Sequence, residues 1–567
     1  MIPIKDVTKE GYYNDGRAIA GQRMKLGHNV SWFKAFAASG FMKDQMRQAS
    51  FNGTSGEVVE DVNGWFDCSA VGFTVADYMP WQSTEGRQEG RWIIRWNGTG
   101  TVELNFSSLF ESGANYNIYD VPADKHNYFA TASDGYPTEI TIVRVEEEAD
   151  FLAGNNIDKT FLENISGASV IRYMDAMDTN SSNVVSYSEY TEGFYKFSQV
   201  PYMPMAFIAE ISNRSGSDPW LCIPAMANDA CITSLANALF SDLDTDKKVY
   251  VEYGNEIWNF APGFSNSNNW NLLGDIPVFN PTVNPTLASV NQVAHGLTTG
   301  DEIKLFNQPT HSVFPFAFGA AAFVIVDDVD NFRLSDSNAN ALIDVDLAPI
   351  DSRVTKIRYK ITADAVFDEN YNYALRSTEC WDIFVSVFGS DRVVKIGAGQ
   401  SSFTVRTQNL IDSYAPFREQ MDFFAIAPYF EITGLASYET ATLSEIQTYL
   451  TEVNFPARAA TTVEHGEILG RNIVVCYEGG DHSKIDGATV PQQEKVEEWT
   501  VSTEAGESFT EYLEMLVGAG VKLFDHFTMV EPIAGGDAFG LMQTPDDVTA
   551  TKKVAYDVQI SKGGVGK

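Results

Sequence analysis

The chain has 567 residues, 44% hydrophobic and 13% aromatic, too long for one average domain and too apolar for a disordered protein. Its 76 acidic against 39 basic residues leave a formal charge of −37, which repels nucleic acid and anionic membranes and removes both as expected partners. The five cysteines are an odd number without close spacing; they carry no zinc signature and are expected to be reduced, unpaired and buried.

In chain order, the N-terminal MIPIKDVTKEGYYNDG has no apolar core of the kind a secretory signal needs, so none is expected. No apolar run reaches the roughly 18 residues of a membrane-spanning helix. Leu26–Val30 reads as a strand, followed by a helix from about Phe33 to Ala49. Residues 51–148 then turn to short aromatic and β-branched runs split by Gly and Asn. Trp92–Trp96 and Thr101–Phe106, joined by Asn97-Gly-Thr-Gly100, carry a hairpin signal. Thr138–Val145 alternates as another strand, and the segment is expected to be a β-sandwich.

From residue 160, strands and helices alternate: strand Ser169–Asp175, helix Met203–Ser212, strand Trp220–Pro224, helix Ala230–Ser241, strand Val249–Asn255. Such alternation implies a parallel sheet with crossovers. It stops over 279–360, where short strands (Thr286–Val293, Glu302–Phe306, Phe323–Val329, Asn331–Leu334) follow one another with no helical pattern. It resumes with a helix at Tyr371–Phe388 and strands Arg392–Ile396, Asp422–Ala427, Asn472–Tyr477 and Lys522–Phe527. Eight parallel-type strands give the expected fold class, an α/β chain forming a (β/α)8 TIM barrel with two inserted all-β modules. Strand one and helix one occupy 1–50, a β-sandwich 51–150, strands two to four 151–278, a small β-barrel module 279–360, and strands five to eight with a tail 361–567. The spacing agrees: Glu256 and Glu478 lie too far apart for three βα units of roughly 30 residues each, and excising 279–360 removes most of the excess.

Chemistry concentrates at two strand ends. Residues 249–260 read VYVEYGNEIWNF, a β-branched strand delivering Asn255 and Glu256 beside Trp258. Asn472-Ile-Val-Val-Cys-Tyr-Glu478-Gly-Gly480 delivers a second glutamate. Active sites of such barrels lie at the C-terminal strand ends, and glycoside hydrolysis needs two carboxyl groups across one bond. A single glutamate at a strand end is usually a solvated rim residue; two, on strands four and seven, are harder to dismiss.

Further motifs fall in order: Arg172-Tyr-Met-Asp175, Asp218-Pro-Trp220 with Pro224, Val251-Glu-Tyr-Gly-Asn-Glu-Ile-Trp-Asn259, Ala425-Ile-Ala-Pro-Tyr-Phe430 and Tyr477-Glu-Gly-Gly-Asp-His482. Over roughly 20–50, 150–278 and 361–550 the chain resembles the clan A retaining glycoside hydrolases, which place an Asn-Glu pair after strand four and a lone Glu after strand seven. The resemblance implies that Glu256 is the acid/base and Glu478 the nucleophile. It implies further that Asn255 binds the sugar 2-hydroxyl, that Arg172 orients Glu478 and keeps it ionised, and that Tyr429 donates to Glu478. Trp258, Phe430 and Phe539 are candidate stacking platforms, with Trp258 and Tyr253 as the apolar wall of the acid. His482 is a further substrate-binding candidate, although a loop histidine is more often structural. Asp175 and Glu252 read as structural, Glu252 in an ion pair behind the barrel. The chain departs from its relatives on strand eight, where Phe527 stands in place of the usual Trp, and at Pro224-Ala225, where a His often follows the proline.

Ala294-His-Gly-Leu-Thr-Thr-Gly-Asp301 with Asn331-Phe-Arg-Leu334 resembles a small β-module named for part of the ubiquitin-activating enzyme (FCCH-like), which recurs in phage tail proteins. The two resemblances imply a glycoside hydrolase of a phage tail or baseplate, residing in the virion and acting on a polysaccharide at the host cell surface. They imply other tail proteins as partners, a homo-oligomer, and no cofactor. Two rival readings stay open: a non-catalytic carbohydrate-binding receptor protein on the same barrel, and a structural tail component.

Overall fold

A computed structural model describes residues 23–30, 42–47, 50–55, 59–60, 65–68, 75–81, 89–122, 128–182, 184–191, 202–259, 261, 264–272, 282–284, 289–292, 295–305, 321–342, 359–361, 368–485, 487–531, 538–544 and 547–566. Eight parallel strands close into a barrel: β1 (Lys25–Asn29), β2 (Val170–Arg172), β3 (Asp218–Ile223), β4 (Val249–Tyr253), β5 (Val393–Ala398), β6 (Phe423–Ile426), β7 (Val474–Cys476) and β8 (Leu523–His526), with β8 pairing back to β1. Helices between and after them include α1 (Lys159–Asn164), α2 (Met205–Ser215), α3 (Asp229–Asp242), α4 (Ser265–Leu272), α5 (Glu369–Phe388), α6 (Thr404–Ser413), α7 (Phe455–Leu469), α8 (Thr503–Gly518) and α9 (Thr551–Ser561). Side-chain caps start several of them. Asn228 accepts from the Cys231 N–H, Asp368 from those of Asn370 and Tyr371, and Ser502 from that of Ala505, each satisfying an amide with no partner inside its helix.

The barrel is apolar on both faces of its strands, because helices cover the outside and side chains fill the inside. Ile171, Leu221, Val251, Phe424, Cys476 and Phe524 pack outward under the helices. Val170, Trp220, Cys222, Tyr250, Val475, Tyr477 and Leu523 pack inward with Trp258. Fully burying one such large side chain contributes about 1.5–3 kcal/mol, and the inner layer fixes the floor on which the mouth is built.

The remaining described strands lie in antiparallel sheets with no barrel partner. Ser50–Ser55, Val75–Trp81, Tyr128–Ser133 and Thr101–Leu104 form one; Pro137–Arg144, Gly90–Gly98, Tyr116–Val121 and Ser108–Gly113 form another. Trp92, Ile94, Val102, Leu104, Ala130 and Ile142 share one buried core. The hairpin expected between Trp92–Trp96 and Thr101–Phe106 does not form. Gly90–Gly98 pairs with Tyr116–Val121 and Pro137–Arg144, whereas Thr101–Leu104 pairs with Tyr128–Ser133 in the other sheet. The glycines that suggested a tight turn serve a crossing between sheets. Gly98 has φ +83°, and a Cβ there would stand 2.2 Å from the Tyr136 carbonyl oxygen.

Between Thr282 and Ile361, six strands form one antiparallel sheet among the described residues. A short helix, Asn338–Leu342, interrupts a segment expected to have none. Most of the helix expected over 33–49 lies outside the described residues; its described part is a 3-10 turn at Gln45–Arg47, and a strand starts at Ser50. None of the five cysteines forms a disulfide, and all five are buried. Among the described residues no helix is long and apolar enough to cross a membrane.

Candidate active site

The mouth at the C-terminal strand ends is organised by Arg172, the last residue of β2, which is fully buried. Its five N–H donors are all used. Nε and Nη2 donate to the two Glu252 oxygens at 3.0 and 3.1 Å, and Nη2 also donates to Asn255 Oδ1 at 2.8 Å. Nη1 donates to Asn29 Oδ1 at 3.0 Å and to Glu478 Oε1 at 2.9 Å. A lysine has three donors and no planar fork, so it cannot replace this set. Glu252, expected behind the barrel, instead points inside, because the inward positions of β4 are Tyr250 and Glu252 while Val249, Val251 and Tyr253 face the helices. It also accepts from Trp220 Nε1 at 2.8 Å.

The chain leaves β4 through two positive φ values that bracket Asn255, +67° at Gly254 and +43° at Glu256. The resulting coil turns both neighbours of the break into the mouth, which strand alternation alone does not allow. A Cβ on Gly254 would lie 2.2 Å from Ile257 Cδ1, so the turn requires glycine. Asn255 is buried, accepting from Arg172 and donating to Asn180 Oδ1 at 2.8 Å. Glu256 is half-buried. Its Oε1 accepts from the Tyr477 hydroxyl at 2.7 Å and its Oε2 from Asn259 Nδ2 at 2.8 Å.

Glu478 follows β7 and is 6% exposed. One oxygen takes the Arg172 bond, and the other accepts from the Tyr429 hydroxyl at 2.9 Å. Burial pushes its carboxyl up to about 7, with the neighbouring Glu256 charge adding to the rise against Arg172 and Tyr429. Burial also raises the Tyr429 and Tyr477 hydroxyls, the adjacent glutamates adding to it, so both phenols stay protonated donors. Asp175, three residues past Arg172, is buried beside this group, and its carboxyl is raised by burial and then by the Glu478 charge.

An aromatic shelf borders Glu478. The His482 ring stacks on Phe539 at 4.7 Å and lies 5.1 Å from Tyr429; Phe539 meets Phe527 edge-on at 5.2 Å. Burial lowers the His482 imidazole to about 4, so the ring is neutral at neutral pH. These four half-buried side chains come from the loops after β6, β7 and β8. Phe430 is not among them: it is 1% exposed and packs on Phe455 and Tyr512 in the helix layer, too deep to stack on a ligand. Tyr253 faces that layer too, its hydroxyl bonded to the Ala225 carbonyl at 3.0 Å, so it is no wall for Glu256. Trp258 is 7% exposed, packed on the lumen side with Tyr373 edge-on at 6.4 Å.

Sequence reading missed Tyr477, Asn259, Asn29 and Asn180. Tyr477 stands beside Glu478 in the strand-seven motif, but in a strand apolar on both faces nothing marks it as one of the residues that face the lumen with Val475. Among the described residues no group of three or more His, Cys, Asp or Glu side chains is arranged to hold a metal ion. Compared with known proteins, the chain matches no family model and no curated sequence.

Proposed function

We propose that this chain is a retaining glycoside hydrolase that cleaves a polysaccharide of a host cell surface or extracellular layer. The observation that carries the reading is the pair of glutamates at the ends of β4 and β7, held by separate donors. Arg172 and Tyr429 aim both oxygens of Glu478, while Tyr477 and Asn259 hold Glu256. In this reading Glu256 protonates the leaving oxygen and later activates water, and Glu478 attacks the anomeric carbon. Two glutamates turned into one mouth have no purpose in a purely structural tail component. The shelf of Tyr429, His482, Phe527 and Phe539 offers a sugar ring an apolar surface beside the nucleophile. Residence in a phage tail or baseplate, with other tail proteins and further copies of the chain as partners, rests on the likeness of residues 294–334 to tail modules.

One observation favours the second reading, a binding protein without turnover. A Glu478 carboxyl raised to about 7 is partly protonated at neutral pH and cannot attack in that form. The test is release of reducing ends from purified envelope polysaccharides of candidate hosts at pH 6 to 9. Release supports the hydrolase; tight binding with no release at any pH supports the receptor. Mass spectrometry of purified virions tests the residence, and its failure to find the chain would remove the tail assignment.

A further inference from the structure

Behind the aromatic shelf, the loops that carry its rings meet a buried lysine from the C-terminal helix. Lys552 is the second residue of α9, and its side chain is 2% exposed. Lysine is almost never buried to this degree without a partner. The first turn of a helix is also the wrong end for a cation, because the free N–H groups there carry partial positive charge. Lys553, beside it, is neutralised within the helix by Asp557, one turn on. Lys552 finds its partners outside α9.

Lys552 Nζ donates to the Ala538 carbonyl at 2.8 Å and stands 3.9 Å from Asp481 Oδ2. These contacts fall one residue before Phe539 and one residue before His482, the two rings that stack on each other in the shelf. The Asp481 carboxylate is held by further donors. Its Oδ2 accepts from Trp499 Nε1 at 3.0 Å, and its Oδ1 from the Ser483 N–H at 3.0 Å. Ser483 in turn accepts the Ala538 N–H on its carbonyl at 3.2 Å and the Ile432 N–H on its hydroxyl at 3.0 Å. Asp481, Ser483 and Trp499 are fully buried. One polar network thus joins the loops after β6, β7 and β8 beneath the rings, and Lys552 supplies its cation.

The base of this pin is fixed as well. Thr551 Oγ1 donates to the Ser502 carbonyl at 2.8 Å, and the Tyr556 hydroxyl to the Gly27 carbonyl at 2.7 Å, which ties α9 to the start of α8 and to β1. The carboxyl pair is held separately, Glu478 by Arg172 and Tyr429 and Glu256 by Tyr477 and Asn259. We propose that Lys552 is a positioning residue of the shelf: through Ala538 and Asp481 it holds Phe539 and His482 face to face, so that α9 sets how firmly a sugar ring is seated beside Glu478. The inference rests on the reading of the shelf as a sugar surface in a hydrolase.

The test uses the full chain with Lys552→Met, and with Lys552→Met joined to Asp481→Asn, which removes both charges so that neither is stranded in the interior. The first readout is the His482 imidazole, titrated by NMR with isotope-labelled histidine and assigned by His482→Gln. Burial holds it at about 4, and the neighbouring charges that act on it come from Lys484, Glu431 and Arg458. A ring that leaves its stack is hydrated and titrates nearer the ordinary 6.5. A variant that is only less stable keeps the wild-type value in its folded fraction. The second readout is release of reducing ends from the envelope polysaccharide that wild type degrades. KM is expected to rise about three- to tenfold, the worth of an aromatic contact, with kcat nearly unchanged. A His482 value that stays at about 4 in both variants overturns the proposal, and so does an unchanged KM or a fall in kcat alone. If wild type degrades no envelope polysaccharide, the hydrolase reading falls and the substrate claim with it, while the titration alone decides whether Lys552 holds the rings.

Discussion

Replacing Glu478 by Gln changes stability in a way whose pH dependence is set by the site. The carboxyl is buried, and its value rises from the usual 4.5 to about 7, chiefly by desolvation. A carboxyl raised in the folded state holds a proton there that the unfolded chain has already released. Folding stability therefore falls as pH rises from about 4.5 to about 7. Below that window both states are protonated and there is no difference; above it the cost is complete. At about 1.4 kcal/mol per unit, the whole window amounts to roughly 3 kcal/mol. Gln keeps the size, its oxygen still accepts from Arg172, and it does not titrate. Urea unfolding of the two proteins in parallel should show the variant gaining about 2–3 kcal/mol relative to wild type between pH 5 and pH 8. A difference that stays constant over that range would refute the reasoning, because the carboxyl would then titrate alike in both states.

Three further substitutions probe the same network. Tyr429→Phe removes a hydrogen bond that holds Glu478 down. Since the nucleophile must be ionised, the acid limb of kcat/KM should move to higher pH than in wild type, and an unmoved limb counts against Glu478 as the titrating group. Arg172→Met strands Glu252 and Glu478 without their cation and should destabilise the barrel by about 3–5 kcal/mol, read by urea denaturation at pH 7. Gly254→Ala forces a side chain onto φ +67° and against Ile257. It should cost about 1 kcal/mol or more and disproportionately reduce turnover, because Asn255 and Glu256 are displaced together; full activity would show that the turn does not set the site.

The barrel was legible in the sequence because each of its eight strands is a short apolar run at the right spacing, and the two carboxylates because each run ends in a turn. Which way a strand residue points was not legible. Covered on both faces, barrel strands are apolar on both, so period-two alternation does not mark the lumen; Glu252 and Tyr253 were assigned to the wrong sides for this reason. The hairpin signal at Asn97–Gly100 failed because glycines with positive φ serve a sheet-to-sheet crossing as well as a two-residue turn. Phe430 was misplaced because an aromatic after a strand fits the mouth and the helix layer equally, and only packing on Phe455 and Tyr512 decides. The partners of Arg172 come from on or just after three other strands, β1, β4 and β7, and no local pattern brings Asn29 to Arg172.

In the proposed reaction Glu478 attacks sugar carbon while Glu256 handles the proton. The most direct measurement is peptide mapping by mass spectrometry after the Glu256→Gln protein is mixed with an activated aryl glycoside of the cleaved sugar and quenched in acid. Without its acid/base group the protein forms the covalent intermediate on an activated leaving group and hydrolyses it slowly. The account predicts a single glycosyl adduct on the peptide containing Glu478, absent when Glu478→Gln is added. Turnover with no adduct, or an adduct on another residue, would contradict it.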